Sequence, residues 1–184
     1  MNCTVKIMET EAEIRGKAYV HWKSWQETYA GLIDQEHLDR MTLDKCLEIA
    51  RRWPENTLVA LDGDLVVGFA CFGPYRYQSL PNVGELCAIY VLQSYQGRKV
   101  GQQLMLEALN KLKDYPTIAL WVLKGNEKAV SFYKKFGFQF DGVTLEARVG
   151  TELLSKCTGS KTSTIQVEHQ MHHNSRSFQN FSSL

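Results

Sequence analysis

The sequence predicts an α+β domain of three layers, in which a mixed, mostly antiparallel twisted sheet of about seven strands lies between about four helices. Two observations carry this prediction. Three apolar segments between 57 and 92 are joined by short connections, which favours antiparallel neighbours. A helical pattern at 98–113 then separates two further apolar segments, which is the arrangement of a parallel crossover.

The individual elements follow from apolar periodicity and from the residues that end it. In chain order they are a strand at 3–8, helices at 10–31 and 35–52, strands at 57–61, 65–72 and 84–92, a helix at 98–113, a strand at 117–123, a helix at 126–136 and strands from 138 and at about 150–157. Trp53-Pro54 and Tyr115-Pro116 end helices, because proline disfavours helical backbone before it. Asp62-Gly63-Asp64 predicts a hairpin, since glycine allows positive φ.

Length and composition predict one domain at 1–157 and a tail at 158–184. The tail is rich in Ser, Gln, Asn and His and has no sustained period, so we expect it to be disordered. The net charge of +1 comes from 21 basic and 20 acidic residues, which argues against nucleic acid as a partner. The five cysteines form no C-x-x-C pair, and no metal site is expected. Without a signal peptide or an apolar segment long enough to cross a membrane, we expect a cytoplasmic protein that does not bind membranes.

A candidate anion site lies where the predicted strand 84–92 runs into the predicted helix 98–113. The first N–H groups of a helix have no intrahelical acceptor, and with the helix dipole they attract anions. Gly97 and Gly101 lack side chains that would keep an anion from the backbone, and Arg98 and Lys99 add positive charge. An ordinary strand-to-helix turn with two solvent-facing cations would have the same residues, so both interpretations stay open.

Residues 96–101 (QGRKVG) resemble the coenzyme-binding pattern Q/R-x-x-G-x-G/A of the GCN5-related N-acetyltransferase superfamily, which they match at Gln96 and Gly101. Residues 126–138 (NEKAVSFYKKFGF) resemble the signature N-x-x-A-x-x-F-Y-x-x-x-G-F of the same superfamily at every fixed position. The resemblance covers roughly 3–157. Lys99 departs from it, because the superfamily usually has glycine there; we expect a negative φ at Lys99, in the first helical turn.

The resemblance implies an acetyltransferase that uses acetyl-CoA as co-substrate, and it leaves a homodimer open. It assigns coenzyme contacts to Ile89, Tyr90, Val91, Gln96, Gly97, Arg98, Lys99, Val100, Gly101, Gln102 and Asn126. Asn126 would equally serve as the N-cap of the predicted helix 126–136. Tyr133 matches the general acid of the superfamily, which would protonate the departing thiolate; the alternative is packing in the core.

Glu85 is the candidate base that takes the proton of the amine. Strict alternation places Glu85 on one strand face with Cys87, Ile89 and Val91, where desolvation would raise the pKa of its carboxyl group. The alternative is a strand-end glutamate in solvent. An acyl-cysteine on Cys87 is a rival mechanism, but no flanking histidine or cation would activate the thiol. His21 and His37 are interpreted as packed or surface residues.

The resemblance further implies that the acceptor site lies between the first two helices and the loop after the third strand. Trp25, Tyr29, Tyr75 and Tyr77 are its candidate contacts. The nearby carboxylates of Glu27, Asp34 and Glu36, together with these aromatic rings, would suit a cationic amine. The sequence therefore predicts transfer of acetyl to a primary amine of a small molecule or peptide; the alternative is a non-catalytic acyl-CoA-sensing module on the same fold.

Overall fold

The computed structural model describes residues 3–76, 82–149 and 152–160. Within those ranges the chain forms one sheet of seven strands and five α-helices. The elements are β1 (Thr4–Ile7), α1 (Glu11–Tyr29), α2 (Gln35–Asp39), α3 (Leu43–Arg52), β2 (Thr57–Asp62), β3 (Leu65–Pro74), β4 (Val83–Val91), α4 (Val100–Lys111), β5 (Thr117–Leu123), α5 (Glu127–Lys134), β6 (Gln139–Val149) and β7 (Glu152–Ser160).

The strand order across the sheet is β1-β2-β3-β4-β5-β7-β6. Every neighbouring pair is antiparallel except β4 and β5, which run parallel and are connected through α4. The predicted α+β class and the predicted parallel crossover are therefore confirmed. In the described residues, no helix is both long enough and apolar enough to cross a membrane.

The helices cover both faces of the sheet, as the sequence predicts. On one face, Leu104 and Met105 of α4 pack on Leu86 and are fully buried. On the other face, Val20 of α1 packs against Phe69 of β3. Burying about two such side chains on each helix stabilises the layers by several kcal/mol, since each contributes about 1.5–3 kcal/mol. The two faces can therefore offer different surfaces to two ligands.

Two predicted boundaries are wrong. The single helix predicted at 35–52 is two helices, because the hydroxyl oxygen of Thr42 accepts the N–H of Lys45 at 3.2 Å and begins α3 there. The predicted tail begins too early, since β7 continues to Ser160 and pairs with β5 up to that residue. The rest of the predicted tail, 161–184, lies outside the described residues. The predicted hairpin between β2 and β3 is confirmed, with φ of +60° at Gly63.

A β-bulge in β4 changes which residues share a face. Cys71 of β3 pairs with Ala88, while the next residue of β3 pairs with Leu86, so Cys87 has no partner opposite it. The inserted residue reverses the alternation: Leu86 packs on the α4 face together with Ile89, and Glu85 falls on the α1 face. The face predicted from strict alternation, with Glu85 beside Ile89 and Val91, is wrong for this reason.

Candidate active site

A groove opens in the middle of the sheet because β4 and β5 separate. Their pairing runs from Val83–Thr117 to Leu86–Leu120 and ends there, although β4 continues to Val91 and β5 to Leu123. The groove between them has a volume of about 950 Å³ and is lined by β4, β5, the turn before α4 and α5. Backbone groups on the facing edges of both strands are therefore available to a ligand.

The turn before α4 forms one end of the groove. Gly97 has a φ of +76°, and a Cβ atom there would meet no protein atom within 4 Å, so backbone conformation rather than crowding requires glycine. Gly101 lines the groove in the first turn of α4, where N–H groups lack intrahelical acceptors. A Cβ on Gly101 would lie 3.6 Å from the Phe132 ring. This end suits a phosphate group.

The structure brings together nine of the eleven predicted coenzyme contacts. These nine line the groove: Ile89, Tyr90, Val91, Gln96, Gly97, Lys99, Gly101, Gln102 and Asn126. Arg98 lies elsewhere, with its guanidinium 5.3 Å from the ring centre of Tyr95. The side chain of Val100 is 2% exposed in the core. Only backbone atoms of Val100 remain able to contact a coenzyme.

The other end of the groove is formed by α5. The Oδ1 atom of Asn126 accepts the N–H of Ala129 at 3.1 Å, so Asn126 is the N-cap of α5 and lines the groove as well. Tyr133 follows two turns later and lines the groove beside Phe132. Its phenol is close enough to that of Tyr90 to contribute to the raised pKa of Tyr90. Tyr133 thus faces the strand that carries Tyr90.

A second cavity of about 470 Å³ lies on the α1 face and meets the groove. Tyr90, Tyr29 and Cys87 line both spaces. The Tyr90 hydroxyl accepts the indole N–H of Trp25 at 3.1 Å and lies 3.1 Å from the Tyr29 hydroxyl. Burial is the main reason that the pKa values of Tyr29 and Tyr90 are raised, so both phenols stay protonated. This aromatic group forms the junction between the two spaces.

Only part of the predicted acceptor site lies at that junction. Trp25 and Tyr29 line the second cavity. Tyr75 is 7% exposed and belongs to the lining of neither space, so its predicted contact with the acceptor is not supported. Tyr77 lies outside the described residues.

Glu85 is fully buried and paired. Its side chain is 0% exposed, its Oε1 lies 2.5 Å from Nη2 of Arg76, and its Oε2 accepts the backbone N–H of Arg76 at 3.0 Å. Neither space includes Glu85 in its lining. The carboxylate therefore holds the backbone and the side chain of Arg76 where the chain leaves β3, and a bound amine in either space would not reach it directly.

The comparisons with known proteins agree with this geometry. The sequence pattern of the Acetyltransferase (GNAT) family matches residues 18–138. The chain belongs to this family. It is an N-acetyltransferase, as its relatives are. The uncharacterized N-acetyltransferase YuaI of Bacillus subtilis strain 168 is 30% identical over 158 residues, which are 77% of this chain and 89% of the relative. The spermidine N(1)-acetyltransferase of Thermoplasma acidophilum is 28% identical over 130 residues, which are 65% of this chain and 78% of the relative.

Solved structures show the same GNAT fold. The PaiA N-acetyltransferase of Thermoplasma acidophilum, solved in complex with coenzyme A, superposes with a TM-score of 0.66 at 23% identity, over 87% of this chain and 99% of that chain. PH1933 from Pyrococcus horikoshii OT3 superposes with a TM-score of 0.68 at 21% identity, over 88% of this chain and 100% of that chain. The resemblance inferred from residues 96–101 and 126–138 is thus confirmed at the level of the family.

The structure corrects the predicted backbone of Lys99 and agrees with the interpretation of Cys87 as a thiol that is not activated. Lys99 has a φ of +66° as the N-cap of α4, so the predicted negative φ is wrong; the helix begins at Val100, two residues later than predicted. For Cys87, desolvation and then the Glu85 carboxylate raise the pKa of the thiol to about 12. A thiol with that pKa is protonated at neutral pH, which counts against an acyl-cysteine in this acetyltransferase.

His21 is a cavity residue that the sequence analysis missed. Its ring stacks on Tyr90 with ring centres 5.7 Å apart, and it lines the second cavity. Burial, followed by the charge of Lys17, lowers the pKa of His21 to about 3, so the imidazole is neutral at neutral pH. An isolated histidine on a helix gives no sequence signal for this placement; only the helical spacing of His21, Trp25 and Tyr29 places them on one side of α1.

We predict that Lys99→Gly stabilises the protein by about 0.5–1 kcal/mol, because glycine adopts positive φ without the steric cost that lysine bears. The thermal midpoint should rise by about 2–3 °C in calorimetry. Because Lys99 lines the groove, the variant should also bind acetyl-CoA a few-fold more weakly. Lys99→Ala is the matched control: it removes the charge but keeps the strain, so it should lose affinity without gaining stability. An unchanged midpoint in Lys99→Gly would contradict the prediction.

Proposed function

We propose that this N-acetyltransferase transfers the acetyl group of acetyl-CoA directly to the primary amine of a small molecule or peptide. One observation carries the proposal: the groove and the second cavity meet at Tyr90, which lines both spaces. Such an arrangement lets two substrates reach the same point from two adjoining spaces without an intermediate on the protein.

The groove fits the shape and the polarity of coenzyme A. The N-terminus of α4, with Gly97 and Gly101, would bind the pyrophosphate, and the unpaired edge of β4 at 89–91 would bind the amide groups of the pantetheine arm. Lys99, Lys128 and Lys135 line the groove and would add charge complementary to phosphate. This fit supports acetyl-CoA as the donor.

The transfer itself needs one proton supplied and one removed. The lone pair of the amine attacks the thioester carbonyl carbon, whose oxygen the Val91 N–H, on the edge of β4 away from β3, would stabilise. The C–S bond then breaks, and Tyr133 would give its phenolic proton to the thiolate. Since Glu85 lines neither space, we assign the proton of the amine to water in the second cavity and assign Glu85 to positioning Arg76.

Release of free thiol tests this proposal. The protein is incubated with acetyl-CoA and a panel of primary amines that includes diamines, amino acids and short peptides; polyamines belong in it because spermidine acetyltransferases are among the relatives. We expect thiol release that requires an amine, with the N-acetylated product identified by mass spectrometry. Calorimetric binding of acetyl-CoA without turnover of any amine would favour the acyl-CoA-sensing alternative.

A further inference from the structure

The second cavity has a basic lining, opposite to the acidic one that the sequence analysis predicts. Among the residues that the structure describes, four of its charged side chains are basic and one is acidic: Lys17, Arg40, Lys45 and Arg76 against Glu55. A polycationic acceptor would be repelled by this lining.

The three carboxylates expected at the acceptor site are engaged elsewhere. Glu27 accepts the backbone N–H of Gln93 at 3.0 Å and pairs with Lys23. Glu36 pairs with Arg40 on the surface of α2. Asp34 does not belong to the lining of the second cavity. None of these groups therefore offsets the positive charge of the second cavity, and the predicted preference for a cationic amine is not supported.

Two of the four cations have no carboxylate partner in the part of the chain that the structure describes. Arg40 pairs with Glu36 and Arg76 pairs with Glu85. Among the described residues, neither Lys17 nor Lys45 lies within ion-pair distance of a carboxylate. Their positive charge therefore remains available to a ligand in the second cavity.

Lys17 is the more unusual of the two because it is only 3% exposed. Its ammonium lies 5.2 Å from the ring centre of Phe69, which gives a weak attraction but no hydrogen bond. Lys17 lines the second cavity, and no carboxylate of the described residues pairs with its ammonium. An anionic group of a ligand in the second cavity can therefore approach the ammonium without displacing a carboxylate of the protein.

Lys17 and Lys45 both line the second cavity. Both are also near the buried Cys46 thiol, because the charge of each lysine acts against the rise in its pKa that burial causes. The Lys17 ammonium also lies near Tyr90, where the two spaces meet. It is 5.2 Å from the ring centre of Phe69, and that ring centre is 5.5 Å from the ring centre of Tyr90. The ammonium is therefore at most about 11 Å from the ring centre of Tyr90. One small molecule can span that distance.

We propose that the acceptor carries an anionic group, a carboxylate or a phosphate, that binds Lys17 and Lys45 while its amine lies at Tyr90. The inference rests on the proposed acetyl transfer to an amine and narrows its substrate class to small zwitterions. The anionic group of the acceptor would bind Lys17 at most about 11 Å from the reacting amine. Amines of the same length that lack this group, or that carry a second positive charge in its place, would therefore be poorer acceptors.

The first experiment measures anion binding without turnover. The protein is saturated with coenzyme A, so that the phosphate site of the groove is filled, and its thermal midpoint is followed against inorganic phosphate, with sodium chloride at matched ionic strength. We expect a rise of about 3 °C for the wild type. Lys17→Met should abolish the rise, and Lys111→Met, which removes a charge on α4 outside both spaces, should keep it.

An equal rise in phosphate and chloride, or a rise that persists in Lys17→Met, would overturn the proposal. If Lys17→Met does not fold, Lys45→Met gives the same test, since its side chain is only partly buried. This experiment does not depend on acetyl transfer, so its failure is separate from failure of the proposed function.

The second experiment compares three acceptors of one chain length: 5-aminopentanoate, pentylamine and 1,5-diaminopentane. We expect the carboxylate to have a kcat/KM at least 10-fold above that of pentylamine, the diamine to be the poorest, and the preference to vanish in Lys17→Met with the KM for acetyl-CoA unchanged. A diamine as good as the amino acid would refute an anionic acceptor. If none of the three reacts, the phosphate experiment alone decides.

Discussion

Tyr133→Phe should lower the kcat of acetyl transfer about 100-fold while leaving the KM for acetyl-CoA within two-fold of the wild-type value. The physical reason is that a thiolate leaving into a groove shielded by Tyr90 and Phe132 needs a proton as the C–S bond breaks. A phenylalanine keeps the ring packing against Phe138 and removes only the donor. The loss corresponds to about 2.7 kcal/mol of transition-state stabilisation.

The measurement should be made under single-turnover conditions, because slow release of product could hide a loss in the chemical step. Tyr19→Phe is the matched control, since Tyr19 is 41% exposed and lines neither space. It should leave both kinetic constants unchanged. A Tyr133→Phe variant with wild-type turnover would remove Tyr133 from the reaction and leave it a role in packing only.

The sequence was enough to predict those features of the site that depend only on residues close together along the chain. The glycines at 97 and 101 and the pattern 126–138 lie within single turns and helices, so their spacing alone places them around the groove. Lys99 marks the limit of that reasoning. Its φ depends on whether α4 begins at 99 or 100, and a shift of one residue changes the predicted backbone from helical to left-handed.

Features that depend on pairing between distant segments could not be predicted. The bulge at Cys87 follows from how β3 and β4 align, and no residue in β4 alone signals it. The basic side chains of the second cavity lie on α1 and α3, just after α2 and just after β3. The carboxylates near Tyr29 in sequence suggested an acidic site, whereas folding turns them to other partners and brings Lys17 and Lys45 together.

The pair formed by Arg76 and Glu85 carries the second large effect. Arg76→Met leaves the Glu85 carboxylate at 0% exposure with a backbone N–H as its only partner among the described residues, and we expect a loss of about 3 kcal/mol in the free energy of unfolding. The thermal midpoint should fall by about 6–12 °C. Glu85→Gln added to Arg76→Met should recover most of this loss, because a neutral amide replaces the buried charge and can still accept that N–H.

The same variants decide between the two roles of Glu85. The single-turnover rates of Arg76→Met and Glu85→Gln are measured well below the thermal midpoint of each variant. If Glu85 positions Arg76, both rates should fall by similar, modest factors. If Glu85 removes the proton of the amine, Glu85→Gln should lose about 100-fold or more, while Arg76→Met keeps the carboxylate and most of the rate. We expect the first pattern, because the carboxylate lies outside both spaces and its two oxygens already bind Arg76.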